Sequence, residues 1–153
     1  MKRVLAIALS VAIVATLDSA HAVPHPSIAL EAEAEYQAAR DKIKARDYLG
    51  AHSHLANLLV DYSDQAEVHS LLGLTLRKTG RIDEALRHYM RALSLDPRHL
   101  GANEYLGELY VERGEIHLAR ERLRVLQSIC GSHCEEAYEL AAAIAEAEGP
   151  PGR

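Results

Sequence analysis

Residues 66–99 read AEVHSLLGLTLRKTGRIDEALRHYMRALSLDPRH, and the spacing of small and large residues in that run sets the architecture. In a 34-residue frame, Leu72 and Gly73 stand at positions 7 and 8, Leu76 at 11 and Gly80 at 15. Ala85 stands at 20, Tyr89 at 24, Ala92 at 27 and Pro97 at 32. Moving the frame forward by 34 finds Leu106, Gly107, Tyr110, Gly114, Ala119, Leu123 and Leu126 in residues 100–133. Recurrence at such a period marks stacked copies of one unit, each too small to bury its apolar face alone. Small residues at positions 8 and 20 let the two helices of a unit approach closely, and large ones at 7, 11 and 24 fill the space around them. Glycine at position 15 ends the first helix, where a positive φ suits it.

Moving the frame back by 34 gives residues 32–65, where Ala38, Ala39, Ala51, Leu55 and Leu58 take the matching slots. Lys42 stands there in place of a large apolar residue and Arg46 in place of glycine. Terminal repeats are often atypical because one face meets solvent. After the third unit, Ala137, Leu140, Ala141 and Ile144 keep the first-helix spacing with no partner helix following, which reads as a capping helix over 133–147. Ser132 and Glu135 have the spacing of a capping box for its start. The spacing predicts helices near 28–45, 48–61, 65–79, 83–95, 98–112, 116–129 and 133–147, and no stretch alternates with the period of a strand.

On these residues the chain resembles the tetratricopeptide-repeat (TPR) family. The resemblance implies an all-α fold, a right-handed superhelical stack of helix-turn-helix units. It would comprise about three repeats (32–65, 66–99 and 100–133) and the cap, in a TPR domain over 31–148. It also implies a protein-binding scaffold without catalysis. The first helices would line a concave face through repeat positions 2, 5, 9, 12 and 13. Those positions hold Tyr36, Arg40 and Lys44 in the first unit, then Glu67, Ser70, Leu74, Arg77 and Lys78 in the second. The third supplies Glu104, Glu108, Val111 and Glu112. The implied groove is basic towards its first half and acidic towards its last. Glu104, Glu108 and Glu112 stack along one helical face, an arrangement that costs a few tenths of a kcal/mol per like-charged pair. It reads either as a solvated face or as a surface that meets a basic segment. The Lys/Asn/Arg clamp with which some TPR domains grip a C-terminal carboxylate has no counterpart. Its positions hold Tyr36, Arg40, Leu71, Gly101 and Tyr105.

At the N-terminus, Lys2 and Arg3 precede Val4–Leu17, an uncharged run too short to span a bilayer, which takes about 20 residues. Ala20-His21-Ala22 then offers a small-x-small cleavage site, so residues 1–22 read as a cleaved signal peptide. Residues 23–30 read as a linker and 149–153, ending in Gly-Pro-Pro-Gly-Arg, as a flexible tail. The expected location is the periplasm, with no membrane insertion after cleavage. From residue 23 onward, 15 Lys and Arg face 21 Asp and Glu, a net charge of −6. An acidic chain without a basic cluster argues against nucleic acid or an anionic membrane as partner.

Cys130 and Cys134 bracket Gly131-Ser132-His133 between the last repeat helix and the cap. In an exported chain an even cysteine count favours a disulfide. A redox-active pair and a copper site with His133 are the competing readings of this motif. His52 and His54 point apart on one helix, His54 and His88 share repeat position 23, and His99 and His117 stand isolated; all read as surface imidazoles. No cofactor or metal is expected. The functional expectation is an exported adaptor that holds a peptide segment or partner helix in its concave groove. A copper- or redox-handling protein and a structural component of an envelope assembly are the alternatives.

Overall fold

The structure is a computed structural model that describes residues 26–149. The expected signal peptide and the last four residues of the tail lie outside the described residues. Seven α-helices follow one another: α1 (Pro26–Lys44), α2 (Tyr48–Asp61), α3 (Ala66–Lys78), α4 (Ile82–Leu95), α5 (Leu100–Glu112), α6 (Ile116–Cys130) and α7 (Glu135–Glu148). They match the seven helices read from the spacing, and the described residues contain no strand. α1 begins at Pro26, inside the segment read as linker. Proline suits a first helical turn because the N–H it lacks would have no intrahelical partner there.

Each odd-numbered helix packs on the even-numbered helix that follows it, and α7 packs on both α5 and α6. α3 also touches α5, and α5 touches α7, whereas α2, α4 and α6 make no comparable contact with one another. First helices therefore lie closer together than second helices, which curves the stack and leaves the first helices on its concave side. In α4 the buried residues are Ala85, Tyr89 and Ala92, one helical stripe facing α3 and α5. Tyr89 fills the middle of the stack with Leu76, Leu106 and Leu109. Leu55, Leu58, Val68, Leu71 and Leu72 fill the first third, and Leu126, Ala137, Leu140 and Ile144 the last.

Position 8 works differently in the two full repeats. A Cβ added at Gly73 would collide with the ring of Tyr89, its position-24 partner in the same unit. A Cβ at Gly107 would instead collide with Leu140 of α7. In the third unit the nearest neighbour admitted by the small residue is thus a leucine of the capping helix.

The turn after each first helix is the same in all three units, although its sequence is not. Asp47 N–H donates to Lys42 C=O, Arg81 to Leu76 and Glu115 to Tyr110, at 2.8–2.9 Å. One residue earlier, Arg46 donates to Ile43, Gly80 to Arg77 and Gly114 to Val111. This is the paired pattern of a Schellman turn, which needs a left-handed residue at its corner. Gly80 and Gly114 supply it at φ 80° and 73°, and Arg46 is held there at φ 59°. The frame-shift reading of Arg46 as a glycine slot is thus correct in geometry. Lys42, the other misfit, is exposed and pairs with Asp47 at 2.7 Å, and Asp47 caps α2 by accepting from Gly50 N–H.

The start of α7 corrects the sequence reading. Its N-cap is Cys134, without a side-chain cap, so Ser132 does not cap the helix. Residues 131–134 turn between the two cysteines, with Gly131 at φ 84°, and Ser132 lies too early to reach the first turn.

Candidate functional site

On the concave side, α3, α5 and α7 project side chains into one open cleft of about 480 Å³. Leu74 and Tyr105 contribute apolar surface. Arg40, Arg77 and Lys78 stand on one side, and five carboxyl groups, Glu104, Glu108, Glu135, Glu136 and Glu139, stand on the other. Of the residues read as groove-lining, the structure brings Arg40, Leu74, Arg77, Lys78, Glu104 and Glu108 together here. Lys44 and Glu67 lie beside it with Arg40 and Leu74 in a smaller adjoining pocket.

Sequence reasoning missed Tyr105 as an apolar wall, and it missed the whole contribution of α7. Both were detectable. Leu71, Tyr105 and Glu139 share repeat position 6, which the expected groove positions left out, and α7 occupies the place of a fourth first helix.

The row Glu104, Glu108 and Glu112 is more than a stripe of like charges. Arg77, whose side chain is only 2 % exposed, donates from Nη2 to Glu108, and its Nη1 faces Glu112 Oε1 at 3.5 Å. An arginine with such buried surroundings is retained because the carboxylates of the next helix compensate it. Glu108 and Glu112 therefore link α3 to α5. Arg77 Nε and Nη1 nevertheless have no hydrogen-bond acceptor.

Glu104 is set apart from its neighbours. It is 6 % exposed and hydrogen-bonded to the carboxyl of Glu139 on α7. Burial first, then the charge of Glu108 and the contact with Glu139, push its carboxyl up to about 8. A buried carboxyl beside other carboxyls holds its proton because ionising it would put one more negative charge among them in poorly solvated surroundings.

At the other end of the groove, Tyr36 donates to Glu67 Oε1 at 2.9 Å and accepts from Arg40 Nη1 at 3.2 Å. Arg40 also lies over the Tyr36 ring, 5.7 Å from its centroid. Ser70 is buried between these two ends, and its hydroxyl has no partner.

Three histidine expectations change. His99 is not isolated: Nδ1 accepts from Ala102 N–H and caps α5, while Nε2 meets Glu67 Oε2 at 2.9 Å. An accepting Nδ1 places the proton on Nε2, so His99 donates to Glu67. His54 pairs with Glu35 at 2.7 Å rather than with His88. His88 instead meets His69, Nδ1 to Nδ1 at 3.0 Å, and His69 Nε2 donates to Ser63 C=O.

At the far end, Cys130 and Cys134 are joined as a disulfide with their Cα atoms 5.9 Å apart. In that state neither sulfur is a thiolate, the form that both metal binding and thiol exchange require.

No helix among the described residues is long and apolar enough to cross a membrane. The tetratricopeptide-repeat profile matches residues 66–99. Among characterised proteins, a probable biofilm formation methyltransferase of Pseudomonas putida, WspC, is 36% identical over 70 residues, which is 46% of this chain. The aligned stretch is 16% of that relative's length, so the two share a segment and not a whole architecture. Among solved structures, the TPR2B domain of yeast Sti1 in complex with pHsp70 superposes at a TM-score of 0.69 and 17% identity, covering 78% of this chain and 97% of that one. The Yersinia enterocolitica type III secretion chaperone SycD, in complex with a peptide of the translocator YopD, superposes at 0.63 and 21%, covering 75% and 87%. At these identities the superpositions establish the fold alone. Residues 66–99 thus match the tetratricopeptide-repeat profile, and the same unit and turn are built before and after them, so the described residues fold as a stack of tetratricopeptide-type repeats.

Proposed function

We propose that this chain is an exported interaction module that holds a peptide segment or partner helix in its concave groove. The observation that carries the reading is the convergence of α3, α5 and α7 on one open, mixed-charge cleft with Leu74 and Tyr105 in its wall. A site assembled from successive units suits an extended or helical segment better than a small molecule. Sti1 and SycD, which share the fold, were each captured with a protein or peptide partner. We read the chain as non-catalytic, as TPR scaffolds generally are. Export to the periplasm rests on Lys2-Arg3, the apolar run to Leu17 and the Ala20-His21-Ala22 site.

Two measurements test this. Osmotic-shock release followed by N-terminal sequencing should give soluble protein beginning at Val23; protein that keeps Lys2 and Arg3 in the membrane fraction contradicts export. Pull-down with the chain from Val23 onward, analysed by mass spectrometry, should retain a partner that a Lys78→Glu, Glu139→Lys variant loses. Equal retention by that variant contradicts the groove.

A further inference from the structure

The cleft combines two unmet demands that face each other. On one side, oxygen atoms of Glu104, Glu108 and Glu139 lie within 4.8 Å of one another, with Glu135 and Glu136 on the same wall. The cations that face Glu104 from the neighbouring helices are Arg77 and Lys78 of α3 and Arg40 of α1. Arg77 is engaged by Glu108, and Arg40 by Tyr36, while α7 brings only further carboxyls. Lys78 is the one of the three with no hydrogen-bond or ion-pair partner among the described residues, and five carboxyls still face three cations, so the lining carries an excess of carboxyl groups. On the other side, Arg77 is almost wholly buried in the cleft wall; its Nε and Nη1 have no hydrogen-bond acceptor, and a ligand oxygen reaches Nη1 where the half-exposed Glu112, 3.5 Å away, moves aside.

A bare divalent ion would satisfy only the carboxyls, and an anionic ligand only Arg77. A peptide segment satisfies both. Its basic side chain reaches the carboxyls with its methylene stem along Leu74 and Tyr105, as long cationic side chains do on apolar surface. Its main-chain carbonyl takes the place of the exposed Glu112 beside Nη1 of Arg77.

We propose that this cleft is the anchor subsite of the groove, taking a Lys or Arg side chain of an extended partner segment while Arg77 donates to a main-chain carbonyl beside it. The assignment rests on the groove reading above. Docking changes protonation. Before binding, Glu104 keeps its proton, held there by burial and by the neighbouring Glu108, Glu139 and Glu136 carboxyls. The incoming ammonium or guanidinium favours an ionised Glu104, and the released proton passes to buffer. Binding near neutral pH is accordingly coupled to release of up to one proton.

The test starts from peptides selected against the full chain from a random library and then synthesised. The account expects a Lys or Arg in each tight binder. Replacing it by norleucine should weaken binding at least tenfold in wild type but less than threefold in Glu104→Gln, Glu139→Gln, an isosteric pair whose helicity confirms folding. Titration calorimetry in buffers of different ionisation enthalpy should show proton release in wild type and none in that variant. Peptides that bind without a basic residue, or tolerate norleucine, overturn the anchor. The groove reading itself stands in that case if Arg40→Ala, Lys44→Ala, outside the carboxyl cluster, still weakens them. Peptides indifferent to every one of these changes overturn both. Millimolar calcium or magnesium that binds alone and needs Glu104 and Glu139 makes the cluster a metal site and also overturns the anchor.

Discussion

His99 Nε2 donates to Glu67 at 2.9 Å across the boundary between α3 and α5, while Nδ1 of the same ring caps α5. One imidazole thus closes a helix terminus and ties two repeats, and Glu67 passes the link on to Tyr36 of the first unit. The hydrogen bond from His99 leads the influences that hold the Glu67 carboxyl below its usual range. A depressed carboxyl contributes stability above its unfolded value of 4.5 and loses it as pH falls through the lower folded value. Glu67→Ala should cost about 1–2 kcal/mol at pH 7, with a smaller cost at pH 3.5 and for Glu67→Gln, as urea denaturation would show. An alanine variant as stable as wild type contradicts the link.

Arg46 gives a test of the repeat frame in the opposite direction. A non-glycine residue in left-handed backbone costs roughly 1–2 kcal/mol, part of which glycine gives back through its freer unfolded chain. Arg46→Gly should therefore raise stability by about 1 kcal/mol, and Gly80→Ala should lower it by a similar amount. Thermal melts of the two variants should move apart from wild type in opposite directions. A destabilised Arg46→Gly would mean that the first unit does not share the turn.

Two buried groups pull the pH profile in opposite senses. Glu104 keeps its proton in the folded chain up to about 8 but loses it near 4.5 when unfolded, so stability falls as pH rises through that window. His88 is held neutral down to about 4, first by burial and then by His69, so stability falls as pH drops from 6.5 towards 4. Glu104→Gln should leave stability at pH 4.5 nearly unchanged and gain on the order of 2 kcal/mol at pH 8.5. His88→Gln should flatten the acid limb. Denaturation across pH checks both, and identical profiles for wild type and Glu104→Gln contradict the assignment.

The disulfide should act as a local staple. Replacing Cys130 and Cys134 with Ser removes a short closed loop, worth about 2 kcal/mol on the chain-entropy account. Partner binding should survive below the variant's melting temperature, because the bond lies outside the cleft lining. Loss of binding by a folded variant would move the functional centre to the Cys motif.

The helices and their pairing were legible because the 34-residue spacing encodes packing directly: Gly73 is small where Tyr89 lies, and Gly80 is glycine where the backbone turns. Half of the site was legible for the same reason, since Arg77 and Glu104 sit at frame positions that face inward. Which charge meets which was not. The pairing of Arg77 with Glu108, and of Glu104 with Glu139, depends on the register between helices, which one helix's periodicity does not carry. His99 escaped notice because histidine is not among the usual capping residues. Ser132 misled because a capping-box spacing says nothing of the turn that the two cysteines enclose.

The central claim is that a partner lies along the inner helices, and site-specific photo-crosslinking tests it most directly. The photoreactive amino acid p-benzoylphenylalanine is placed, one position at a time, at Lys78 and Glu139 in the cleft and at Met90, exposed on the second helix α4. Each variant is irradiated in the cell that makes the protein. The account predicts one common adduct from positions 78 and 139 and none from 90. An adduct from position 90, with none from the cleft, would place the partner on the convex side and contradict it.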